Sequence, residues 1–216
     1  MRFMESIHLV NNREWKTGVL RNVKDAAEQT GRVFAVAYNI AGNTLDCNAL
    51  DDLKNDWKRL VDEEKITQSY RYLHHDGKPV LRIYGIGFAS VPASDCPIKM
   101  QNLINWFQGK PDSGGNTSAT RYQTYVIGGV PSRWNELIGD SRTATVWKSI
   151  YDSLDGIHPW LVGRWTTITN FNNYYNNVIS RDASYCASKG ILYMPTMWPG
   201  FSWHNLKNEQ VCEEDV

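Results

Sequence analysis

Apolar positions fall on one helical face, stop at a glycine and give way to a short run of consecutive apolar residues, and this pattern recurs down the chain. In the first unit Asn11 or Asn12 can cap a helix that puts Trp15, Val19, Val23 and Ala27 on one side, and Gly31 ends it. Val33-Phe34-Ala35-Val36-Ala37-Tyr38 follows, too continuously apolar for a sheet wetted on one face. A second helix is expected over 50–61 with Leu53, Trp57, Leu60 and Val61 inward, before the strand Val80-Leu81-Arg82-Ile83-Tyr84. A third starts near Asp95 with Pro97 in its first turn and buries Leu103, Ile104 and Phe107, before Thr124-Tyr125-Val126-Ile127. A fourth is expected from Asp140 or Ser141, carrying Val146, Trp147, Ile150 and Leu154, and then a strand over 157–162. The fifth spans 173–188 and precedes Ile191-Leu192-Tyr193-Met194. Met1-Arg2-Phe3-Met4 reads as the tail of a further strand, and the segment 166–171 is where another could hide.

Helix and strand in unbroken alternation mean an α/β protein with a parallel sheet. Such a chain closes into a barrel or stays an open doubly wound sheet. No GxGxxG follows the first strand, as an open dinucleotide-binding sheet would require. The segments after the strands are long and aromatic, as in barrels that build their sites there, so the expected fold is α/β of the (β/α)8 TIM-barrel type. About 250 residues are usual for eight units, and this chain of 216 residues offers five to six. The expected organisation is therefore an incomplete barrel over 1–206 with a polar, acidic tail over 207–216, a fragment that self-associates through unpaired barrel edges.

Charge narrows the ligand. Lys+Arg and Asp+Glu balance at 23 each, which removes the electrostatic argument for nucleic acid or an anionic membrane. No run is long enough for a membrane span, and the first five residues lack the apolar segment of a signal peptide. Cys47, Cys96, Cys186 and Cys212 form no CxxC pair, so no metal or other cofactor is expected, and disulfides and buried thiols both stay open. His74-His75 reads as a solvated turn.

Strand ends then supply the candidate chemistry. Tyr38, Asn39, Trp134, Trp160, Arg164, Trp198, Trp203 and His204 follow or close strands, and they combine aromatic faces for sugar rings with donors for hydroxyls. Glycoside hydrolysis needs two carboxyl groups. Glu5, Asp46, Glu136 and Asp140 are the carboxylates whose positions permit a role, and Glu136 is the best placed as a catalytic residue. Asp140 reads rather as a helix cap, and Asp155 and Asp182 as structural.

Several of these segments resemble a known family. Gly31-Arg32-Val33-Phe34-Ala35-Val36-Ala37-Tyr38-Asn39-Ile40-Ala41-Gly42, Asp76-Gly77-Lys78-Pro79-Val80 with Ile83-Tyr84-Gly85, and Pro199-Gly200-Phe201-Ser202-Trp203-His204-Asn205-Leu206 are similar to glycoside hydrolase family 71/99-like proteins. These carry the label xylosidase/arabinosidase and are related to the endo-α-mannosidases. Gly129-Val130-Pro131-Ser132-Arg133-Trp134 and Pro159-Trp160-Leu161-Val162-Gly163-Arg164 fit the same pattern. The resemblance implies a (β/α)8 barrel in carbohydrate metabolism, a glycoside hydrolase acting on a neutral oligo- or polysaccharide, in a secreted or extracytoplasmic setting. Asn39 stands where many relatives are expected to carry Asp, and the paired glutamates of the endo-α-mannosidases have no counterpart. The alternative is thus a non-catalytic carbohydrate-binding relative. A barrel enzyme for phosphorylated metabolites is disfavoured, because Trp198-Pro199-Gly200-Phe201 is too bulky for a phosphate grip.

Overall fold

The fold was established from a computed structural model, which describes residues 2–7, 13–41 and 46–197. Six strands run parallel and pair in chain order: β1 (Arg2–Ile7), β2 (Phe34–Asn39), then β4 (Lys78–Tyr84), β5 (Tyr125–Val130), β6 (Gly156–Pro159) and β7 (Leu192–Tyr193). The short β3 (His74–His75) turns back antiparallel against β4, so the two histidines lie in an exposed hairpin strand rather than a free turn. Between the parallel strands lie α1 (Arg13–Thr30), α2 (Ala49–Asp62), α3 (Pro97–Gln108), α4 (Val146–Asp152), α5 (Ile168–Tyr174) and α6 (Ser180–Lys189). The molecule is therefore an α/β protein built on a mostly parallel sheet. Among the described residues no helix is long and apolar enough to cross a membrane.

α2 and α3 form where their apolar spacing matches the helical period. Pro97 opens α3, where its missing N–H costs nothing, and Gly109 closes it in the left-handed conformation that a side chain resists. Leu53, Trp57, Leu60, Leu103, Ile104 and Phe107 are all but fully buried. Each large apolar side chain taken out of water contributes about 2–3 kcal/mol. α2 packs beside α3 and α3 beside α4, so the helices form a layer. Trp57 ties α2 to α3 and to the turn before β5, its ring 6.3 Å from Phe107 and its indole N–H donating to the carbonyl of Tyr122 at 2.9 Å. A disulfide between Cys47 and Cys96, with Cα atoms 5.9 Å apart, ties the segments that lead into α2 and α3. Cys186 is a buried free thiol.

Register decides which side chains share a face. Tyr38, Ile83, Gly128 and Ile157 stand in one row across β2, β4, β5 and β6. That row faces the helices: the Tyr38 hydroxyl donates to Asp56 of α2 at 3.0 Å, and Leu154, just past α4, fills the space a side chain at 128 would need. Strand side chains alternate, so the next row, Asn39, Tyr84, Gly129 and His158, lies on the opposite face. Strands in strict chain order with right-handed crossovers put every connecting helix on one side, and the second face is left to the chemistry of its own residues.

Four elements depart from the expected bounds, one of them β6, which ends at Pro159 rather than at residue 162. β1 is a full six-residue strand and not a tail. The fourth helix starts at Val146, because the Asp140 carboxylate is taken by the preceding loop and does not cap it. Segment 166–171 hides no strand but leads into α5, which passes through a π-helical turn, Tyr175–Ile179, into α6.

Candidate functional site

The helix-free face carries three rows. Nearest the carboxyl ends of the strands are Asn39, Tyr84, Gly129 and His158. Below them Ala37, Arg82, Ile127, Gly156 and Leu192 line up, and Glu5 of β1 pairs in register with Ala37. Val80 and Tyr125 form the last row, and there a cavity of about 320 Å³ opens, also lined by Leu73, His75, Ile127, Leu192 and Met194. A charged Arg82, only 7% exposed, thus separates an apolar half of the face from an aromatic and polar half.

The polar half is built around a missing side chain. A Cβ on Gly129 would stand 2.7 Å from the Tyr84 ring and 2.8 Å from the Tyr84 Cα, so only glycine lets Tyr84 lean across the sheet. Leaning there, Tyr84 meets Trp160 edge-on at 5.5 Å and Phe88 at 5.4 Å, and the Arg82 guanidinium lies 5.2 Å from its ring centre. Trp160 keeps 38% of its surface open. On the other side of Gly129 stands His158, whose Nε2 lies 3.1 Å from the Thr196 hydroxyl, a group that also donates to the carbonyl of Pro159 at 2.7 Å. Burial, with the Arg82 charge adding to it, pushes the His158 imidazole down to about 4, so it is neutral at pH 7. Asn39 completes the edge, and its Oδ1 accepts the backbone N–H of Ala41 at 2.9 Å. Rings, an amide and an uncharged imidazole make a surface suited to an uncharged, hydroxyl-rich ligand.

Only part of the expected constellation meets here. Asn39 and Trp160 belong to this face. Tyr38 does not, because it points into the helix layer, where burial and the neighbouring Asp56 charge raise its hydroxyl well above the usual tyrosine range. Trp134 is fully buried between Tyr151 and Tyr185, at 5.7 and 5.9 Å, with the Lys148 ammonium 4.7 Å above its ring. Arg164 pairs with Asp140, whose oxygens also accept the Ser132 N–H, the Ser132 hydroxyl and the Arg133 N–H. Glu136 sits between Arg133 and Arg181, in ion pairs at 2.5 and 3.4 Å, and outside the three rows. Trp198, Trp203 and His204 lie outside the described residues.

Arg82, Tyr84 and His158 were not singled out from sequence, although a signal was present. Arg82 interrupts an otherwise apolar strand, and Tyr84 stands two residues on, which in a strand is the same face. His158 has no such marker, because its partners come from β5 and from the segment after β7. In comparisons with known proteins, no family model matches this chain, and no curated protein matches it.

Proposed function

We propose that the sheet is part of a (β/α)8 barrel of the glycoside hydrolase family 71/99 kind, and that the chain binds a neutral glycan at the carboxyl ends of its strands. The observation that carries this reading is the cluster of Tyr84, Phe88 and Trp160 around Gly129, flanked by Asn39 and a neutral His158. Aromatic faces stack on the apolar faces of pyranose rings, the Asn39 amide serves hydroxyls, and His158, its Nε2 held by Thr196, keeps the edge uncharged. Six parallel strands in chain order support the barrel. The Cys47–Cys96 disulfide supports an oxidising, extracytoplasmic setting.

Binding without turnover is the stronger reading. Two carboxyl groups are needed to cleave a glycoside, and near the strand ends Glu136, Asp140 and Asp95 are each held by arginine. Hydrolysis is the second reading, favoured by the register position of Glu5, which pairs with Ala37 next to Arg82 in strand order. Calorimetric titration of neutral oligosaccharides, run beside a panel of aryl glycosides, separates the two. Trp160→Ala is expected to weaken association roughly tenfold, about 1.4 kcal/mol, without lowering the melting temperature to match. No association with any neutral glycan would overturn the proposal. Turnover by the wild type that Glu5→Gln abolishes would make the protein a hydrolase.

A further inference from the structure

The segment 165–179 has an unusual composition for its place. It contains no charged residue, holds five asparagines and three threonines, and interleaves them with Trp165, Phe171, Tyr174 and Tyr175. Its helical half, α5, buries none of its residues, although Ile168, Phe171 and Tyr175 recur at the spacing of an inward-facing stripe. The chain returns to the core only after the π-helical turn, where Val178 and Ile179 are buried. The aromatic rings form a continuous series instead of a plug. Trp165 lies 5.2 Å from Phe171 and 5.6 Å from Tyr174, and Phe171 lies 6.1 Å from Tyr175. Tyr175 is 48% exposed and Ile168 77%. The tyrosine at 174 anchors the series, its hydroxyl 3.4 Å from the carbonyl of Ser132.

We propose that this surface is a second carbohydrate site, a platform on which a neutral polysaccharide lies. The chemistry selects among occupants. An interfacial lipid-binding helix sets lysine or arginine against an aliphatic face, and here neither is present. The segment itself offers an acidic or basic macromolecule no charge, and the arginines at its edges, Arg164 and Arg181, are already paired with Asp140 and Glu136. Rings edged with primary amides, each offering two donors and a carbonyl acceptor, match a surface of alternating CH faces and hydroxyls. The ligand class is shared with the function proposed above, but the residues are not, so the two readings fail separately.

The test is depletion of the full chain from solution by insoluble cellulose, xylan and mannan, at low and high salt. Adsorption to at least one polymer is expected, unchanged by salt because no ion pair is involved. Tyr175→Ser is exposed enough to leave folding intact and is expected to lower the partition coefficient about fivefold, the scale of one lost ring. Asn176→Asp, which only adds charge at the surface, is expected to act in the same direction. Trp160→Ala should leave adsorption standing while it weakens soluble oligosaccharides, and loss of both in that variant would sink the platform but spare the first site. Adsorption to none of the three polymers, or adsorption indifferent to both platform variants, overturns the proposal. So does a concentration-dependent dimer in light scattering that Tyr175→Ser abolishes, since the occupant would then be a second copy of the chain.

Discussion

Two buried side chains on opposite sides of the sheet bias stability in opposite directions with pH. Asp182 of α6 is 3% exposed, accepts the Asn135 amide at 2.9 Å, and is raised to about 6, mainly by burial. Its ordinary value is 3.8, so between these pH values the folded state holds a proton the unfolded chain has released. Its contribution to stability is present at low pH and is lost as pH rises to about 6. His158 is the reverse case, pushed from 6.5 down to about 4. There the unfolded chain holds the extra proton, so stability rises with pH through the same window. The two slopes largely cancel in the wild type. Thermal melts from pH 4 to 6.5 should separate them: relative to wild type, Asp182→Asn gains stability as pH rises, and His158→Gln loses it. Each difference should change by roughly 5 °C across the window. A difference indifferent to pH in either variant would mean that the residue is not the source of its slope.

At the scale of elements, the disulfide holds together the segments that lead into α2 and α3. It closes a separation of 49 residues, which in the chain-entropy account is worth about 4 kcal/mol. Reduction, or Cys96→Ser, should therefore lower the melting temperature by roughly 10 °C, and a shift within error would show the bridge to be incidental. Legibility in the sequence varied by element for physical reasons. α2 and α3 were readable because each has a dense apolar stripe, Leu53-Trp57-Leu60 and Leu103-Ile104-Phe107, that becomes the core. The start of α4 was misplaced because a carboxylate before a helix is a capping signal, while Asp140 spends its acceptors on Ser132, Arg133 and Arg164. α5 was not expected because its apolar positions are aromatic and diluted by asparagine, and no burial rewards them. Asn39 and Trp160 were found at strand ends, where position alone is informative. Tyr38 and Trp134 also follow or close strands, yet the alternation of the strand in one case and a turn in the other directs them into the helix layer. A list of strand ends does not reveal which face each side chain takes; the register does.

Across the whole molecule, protection should follow the sheet. β5 is buried along its entire length, and β4 through most of it, while α5 buries nothing. Amide hydrogen exchange is expected to be slowest in β4 and β5, opening only with global unfolding, and α5 should exchange well before α6. Equal protection of α5 and α6 would mean that the π-helical turn does not divide them. The unbroken strand order also bears on how the chain assembles. Every parallel strand pairs with the parallel strand that preceded it in sequence, so no pairing has to wait for a distant segment, and the loop-closure entropy of each step is modest. A chain emerging from the ribosome would find the docking edge for each new strand already formed, and synthesis itself would set the order of growth. Misfolding would then concentrate where a unit is presented late or damaged, and a lesion in β4 would deny a template to everything after it while leaving the pairing of β1 with β2 intact.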